Sequence, residues 1–134
     1  MSEFTFWTDQ AGATLHFMAL GNNGVKLDLS SGYSAVADIE LLHAPGEILL
    51  SLTAGSITLS AGVEATASVE AEGNVAVVFT VANWTTLTAA MLSELVLTLP
   101  DGGDRFRCRV VVTKTSDSSE TIYEPTFRLK PAPT

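Results

Sequence analysis

Arg105-Phe106-Arg107-Cys108-Arg109-Val110-Val111-Val112-Thr113-Lys114 alternates charged and apolar side chains, and it follows Leu95-Val96-Leu97-Thr98-Leu99 across Pro100-Asp101-Gly102-Gly103-Asp104. Successive side chains of a strand point to opposite faces. The alternation therefore sets Phe106, Cys108, Val110 and Val112 on an inward face and Arg105, Arg107 and Arg109 on an outward one. The Pro/Asp/Gly cluster reads as a turn, so Leu95–Leu99 and Arg105–Lys114 form a predicted hairpin.

The same period of two runs through the rest of the chain. Leu15, Phe17 and Ala19 alternate with Thr14, His16 and Met18. Asn22-Asn23-Gly24 tolerates positive φ and turns the chain, and Val25, Leu27 and Leu29 then alternate with Lys26, Asp28 and Ser30. Further strands are expected at Tyr33–Leu42, Ile48–Thr53, Ser56–Ser60, Thr66–Glu70 and Asn74–Ala82. One helix of about two turns is expected between Ala82 and Leu95, capped by Asn83, with Trp84, Leu87, Met91 and Leu92 at helical spacing. Short strands separated by turns at this spacing predict an all-β antiparallel sandwich. The sandwich spans residues 1–114. The remainder, 115–134, holds three prolines, which are poor ladder members. It reads as an extended C-terminal arm carrying Ile122, Tyr123, Phe127 and Leu129.

Length and composition bound the function. A chain of 134 residues is one domain's worth, and 46% hydrophobic against 16% charged residues excludes intrinsic disorder. The net charge of −8 argues against nucleic acid and anionic membrane surfaces as partners. That charge is unevenly spread. Residues 1–103 carry eleven acids and one base, whereas 104–134 carry four acids and six bases. A single cysteine excludes an internal disulfide. The opening residues MSEFTFWTDQ lack the basic and apolar regions of a signal peptide, and no apolar run is long enough to span a bilayer.

Catalytic chemistry needs converging groups, and none converge in the sequence. His16 and His43 are not at ligand spacing with each other or with Cys108, so no metal or cofactor is expected. Cys108 falls on the inward face, where a core role fits better than a nucleophile's. Asp101-Gly102-Gly103-Asp104 lacks the ligand spacing of a calcium loop. The arginine row is the strongest candidate surface. It reads as a solvated strand face or as a docking stripe for an acidic partner, including the acidic bulk of a neighbouring copy. A different class of function, a carbohydrate-binding adhesion module, would use Trp7, Trp84, Tyr33 and Tyr123 as a sugar platform.

Several of these signals occur in a familiar order. Gly12-Ala13-Thr14-Leu15-His16-Phe17 is followed by a turn and by Val25-Lys26-Leu27-Asp28-Leu29-Ser30-Ser31-Gly32-Tyr33-Ser34-Ala35. Later come Ile48–Thr53, Ser56-Ile57-Thr58-Leu59 and a helix with Trp84, Leu87 and Leu92. Glu94-Leu95-Val96-Leu97-Thr98-Leu99-Pro100-Asp101-Gly102-Gly103 and the strand Arg105–Thr113 close the series. Over residues 10–115 this resembles the Ig-like domain at the N-terminus of phage upper-baseplate and tail-fibre proteins. The family's glycine in the returning strand is replaced here near Cys108 and Arg109. The resemblance implies a non-enzymatic structural component of a virion, made in the cytoplasm of a bacterial host. Its partners would be other virion proteins and further copies of itself. A chain that stops about 20 residues beyond the domain fits a capsid decoration protein or a baseplate or fibre anchor. The 115–134 arm and the arginine row are the expected contacts.

Overall fold

A computed structural model describes residues 4–7, 12–21, 23–42, 46–64, 66–93 and 104–130. In chain order these form β1 (Phe4–Trp7), β2 (Thr14–Phe17), β3 (Tyr33–Leu41), β4 (Ile48–Leu52), a 3-10 turn (Ala54–Ser56), β5 (Ile57–Leu59), β6 (Val75–Val78), α1 (Val81–Ser93), β7 (Asp104–Lys114), β8 (Glu120–Tyr123) and β9 (Thr126–Lys130). The strands make two sheets. The larger has the order β1-β9-β7-β3-β4, with β8 also paired to β7, and the smaller has the order β2-β6-β5. The fold is therefore an all-β sandwich with one helix, as the alternation predicts. Every described pairing is antiparallel except β1 with β9.

The two long strands form the spine. Tyr33 through Leu41 pair without interruption with Lys114 through Phe106. Alternation then sorts the faces as expected: Ala35, Ala37, Ile39 and Leu41 of β3 and Phe106, Cys108, Val110 and Val112 of β7 are buried. Leu15, Ile57, Val75 and Val77 supply the opposing layer from the smaller sheet. Phe6, Phe79, Trp84 and Phe127 add an aromatic cluster, in which Trp84 stacks on Phe79 with ring centroids 4.6 Å apart. Burying each such ring contributes roughly 1.5–3 kcal/mol, so this cluster anchors β1, β9 and the helix together.

The helix begins earlier than expected and runs longer. Its cap is Thr80, not Asn83. The Thr80 hydroxyl accepts from the Asn83 N–H at 3.2 Å, and the Asn83 side-chain oxygen accepts from the Thr80 N–H at 2.8 Å. This reciprocal pair satisfies two donors that a helix start leaves open. The helix then covers thirteen residues instead of two turns, with Trp84 and Leu87 buried. The side chains of Met91 and Leu92 lie outside the described residues.

Residues 115–130 do not form the expected extended arm, and 131–134 lie outside the described residues. β8 pairs with β7 from Val110↔Tyr123 to Thr113↔Glu120, and β9 sits between β1 and β7. Phe127 and Leu129 are fully buried. Pro131 and Pro133 lie outside the described residues. Pro125 lies between β8 and β9, where β7 needs an acceptor and not a donor: the Cys108 N–H donates to the Pro125 carbonyl at 2.9 Å. The missing N–H of proline is therefore never called on.

Two other expected strands are absent. Val25–Leu29 forms only a single bridge, Leu20↔Lys26. Three of its other backbone groups bond elsewhere: the Leu27 N–H to Ala19 O, the Leu29 N–H to Ser60 O and the Leu27 carbonyl to the Asn74 amide. Thr66–Glu70 is an exposed turn closed by Thr66 N–H to Val69 O. The expected strand Leu95–Leu99 and the turn after it lie outside the described residues. Within those residues, one edge of β7 is filled by β3 and the other by β8 and β9. The turn before Lys26 is present, with Gly24 at φ 77°. Gly73 marks a close approach: a Cβ there would stand 2.5 Å from the Phe17 carbonyl oxygen.

Candidate interaction surface

The burial that turns Phe106, Cys108 and Val110 inward turns Arg105, Arg107 and Arg109 outward on β7. On β3 the outward residues are Ser34, Val36, Asp38 and Glu40. The ladder places these opposite one another: Arg107 beside Glu40, Arg109 beside Asp38, and Val36 beside Val111. A basic column thus runs along β7 and an acidic column along β3, one strand spacing apart, about 4.8 Å.

Arg107 is held on both sides. Its Nε and Nη2 donate to Glu40 Oε1 at 2.8 and 2.7 Å, and its Nη1 lies 3.2 Å from Glu124 Oε2. The other Glu40 oxygen accepts the Gly46 N–H at 2.9 Å. That backbone donor, then the Arg107 guanidinium and the field of Arg109, hold the Glu40 carboxyl below its ordinary range against the cost of partial burial. The neighbouring Asp38 accepts from the Ser51 hydroxyl at 2.8 Å. Asp38, Glu40, Gly46, Ile48, Arg107, Arg109 and Glu124 together line a shallow groove of about 350 Å³.

The predicted contact residues separate into two groups. Arg105 and Arg109 are exposed, and Arg107 is half-buried in its ion pairs. Ile122 is also outward, beside Val111. The others face inward or fold back. Phe127 and Leu129 are core. Tyr123 packs its ring on Phe17, with centroids 5.6 Å apart, and donates its hydroxyl to Leu20 O at 3.1 Å. Glu40, Gly46 and Glu124 were not singled out from the sequence. Only the alternation of Asp38 and Glu40 along one strand could have signalled an acidic column, because Gly46 and Glu124 belong to connections with no period.

The sugar platform is not assembled. Trp84 is 1% exposed inside the aromatic cluster, and Tyr123 is committed to Phe17 and Leu20. Burial pushes the Cys108 thiol up to about 12, with the charge of Asp38 adding to the effect, which makes it a poor nucleophile. Among the described residues no three His, Cys, Asp or Glu side chains come together to hold a metal. In the same residues no helix is long and apolar enough to cross a membrane. The arrangement can bind by charge and shape. It offers fixed carboxylates and guanidinium groups on a rigid sheet, with the apolar Val36, Val111 and Ile122 beside them. Comparison with protein families, curated proteins and solved structures finds no match.

Proposed function

We propose that this chain is a non-enzymatic structural component of a phage particle, an Ig-like sandwich that assembles through protein–protein contacts. The observation that carries the reading is the order of signals from Gly12 to Ala35 and from Glu94 to Thr113, which resembles the N-terminal domain of upper-baseplate and tail-fibre proteins. The character of the surface supports it. The outer face of the larger sheet presents ordered charge beside exposed apolar side chains. Because Phe127 and Leu129 serve the core, assembly falls to that surface and not to a C-terminal arm. The particle could use it in capsid decoration or in anchoring a baseplate or fibre.

The test is immunogold labelling of density-purified particles from the source culture, with antibody to this chain. Gold on the particle supports the reading, and its position on shell or tail separates decoration from anchoring. Bare particles, with the protein left in the soluble fraction, would remove it.

A further inference from the structure

The outer face of the larger sheet has a geometric property that its composition alone does not reveal. Its basic and acidic columns stand on adjacent strands at the same heights: Arg107 with Glu40 and Arg109 with Asp38. Consider a two-fold axis parallel to the strands, lying above the face and midway between β3 and β7. Rotation about it keeps every height and exchanges the two columns. Arg109 of a second copy then sits over Asp38 of the first, and Asp38 of the second over Arg109 of the first. Arg107 meets Glu40 in the same way, and Val36 meets Val111. An axis perpendicular to the strands would instead set like charges over one another. Only the first arrangement is complementary.

We propose that this face is a self-complementary surface, and that its occupant is a second copy of the chain related by a two-fold axis parallel to β3 and β7. The contact closes after two copies, unlike the head-to-tail contact that the charge asymmetry of the sequence suggests. Two features beyond the columns fit it. Val36 and Ile122, 50% and 44% exposed, lie on either side of Val111 in one row across the sheet, giving an apolar strip beside the charges. Arg109 is exposed, stands beside Asp38 in the ladder and acts on Glu40 through its field, so its guanidinium can reach the partner's Asp38. The nine-residue pairing of β3 with β7 gives a face about 30 Å long, and the four strand columns that overlap across this axis make it about 15 Å wide. Roughly 450 Å² per copy lies below the lower bound of stable specific interfaces, which implies a weak, concentration-dependent dimer. Sheets that pack face to face sit about 10 Å apart, enough for the Arg and Asp side chains to interleave.

The inference deepens the assembly reading by naming the surface and the partner, yet the two fail separately. Unlabelled particles would leave a solution dimer standing, and a monomer in solution would leave particle labelling standing. The experiment is sedimentation equilibrium of the full chain over a micromolar concentration series, with far-UV circular dichroism to verify the fold of each variant. The wild type should reach twice 14.1 kDa and dissociate as salt is raised. Arg109→Asp and Asp38→Arg should each be folded and monomeric at the same concentrations. Mixed in equal amounts they should form a heterodimer. One of its two symmetry-related contacts is then the native one, Asp38 of the first variant with Arg109 of the second. At the other, the two introduced side chains meet with opposite charges. A wild type that stays monomeric, a mass growing beyond the dimer, or a dimer indifferent to both reversals would overturn the proposal. Failure of the mixture to associate would do so as well.

Discussion

The side chain of Asn74 closes a hydrogen-bonded ring on the peptide groups of Ala19: its Oδ1 accepts the Ala19 N–H at 2.6 Å, and its Nδ2 donates to the Ala19 carbonyl at 3.0 Å. The second Nδ2 hydrogen goes to the Leu27 carbonyl at 2.7 Å. Asn74 is 1% exposed, a buried polar residue among apolar neighbours. It replaces the ladder that Ala19 and Leu27 would otherwise need, so the chain can leave β2 and cross the smaller sheet without orphaned backbone groups.

Asn74→Ala should therefore cost about 2–4 kcal/mol, because it strips three hydrogen bonds and leaves the Ala19 N–H and the Leu27 carbonyl without their partner, while the Ala19 carbonyl keeps the Leu27 N–H. Urea denaturation would read this as a lower midpoint with an unchanged slope. A loss below about 0.5 kcal/mol would mean that water or backbone movement satisfies Ala19 and Leu27 instead.

The Glu40–Arg107 pair makes a pH-dependent contribution whose sign follows from the lowered Glu40 pKa. A depressed carboxyl stabilises the fold fully above its ordinary value of 4.5, and the contribution is lost as pH falls through the lower folded value. Glu40→Gln should cost roughly 1–2 kcal/mol near neutral pH, since it weakens a charge-assisted fork while keeping its shape. The difference between wild type and variant should shrink as pH falls below 4.5 and through the lowered folded value. Thermal melts at several pH values would measure it, and a difference independent of pH would contradict the ionic account.

Cys108 behaves in the opposite sense. Its thiol is fully buried and raised to about 12, whereas the thiol of the unfolded chain ionises near 9.0. The contribution is intact below the unfolded value and is lost as pH rises from there toward the folded one, by up to ~1.4 kcal/mol per pH unit. Cys108→Ala should remove that component of the alkaline slope. In the native protein an aromatic disulfide reagent should not react with Cys108, and it should react promptly in denaturant. Fast labelling of the folded chain would place the thiol at the surface.

Alternation made much of the fold legible. It located β2 through β7 and oriented Cys108 inward, because a half-buried strand must sort its side chains by face. It failed where the same alternation had another cause. Leu27 and Leu29 point inward from a segment whose backbone is served by Asn74 and Ser60, a pairing that spans the chain and leaves no local trace. Pro125 reads as a breaker because sequence alone does not say which backbone group a neighbouring strand will require. The candidate surface was half legible. The arginine row was visible, but the register that sets Arg109 beside Asp38 is a long-range fact.

Everything proposed about assembly depends on the last strands belonging to the sheet itself. If Phe127 and Leu129 are core, the surface must do the binding. The most direct measurement is a thermal melt of residues 1–114 beside the full chain, followed by circular dichroism and tryptophan fluorescence. The account predicts a cooperative melt for the full chain and none for the truncation. Without β8 and β9, β1 has no described partner, one edge of β7 is bare, and the Trp84 cluster loses Phe127. Phe127→Ala should lie between them, destabilised by about 3–5 kcal/mol. A truncated chain that melts cooperatively with Trp84 still buried would contradict the account and return residues 115–134 to the role of an assembly arm.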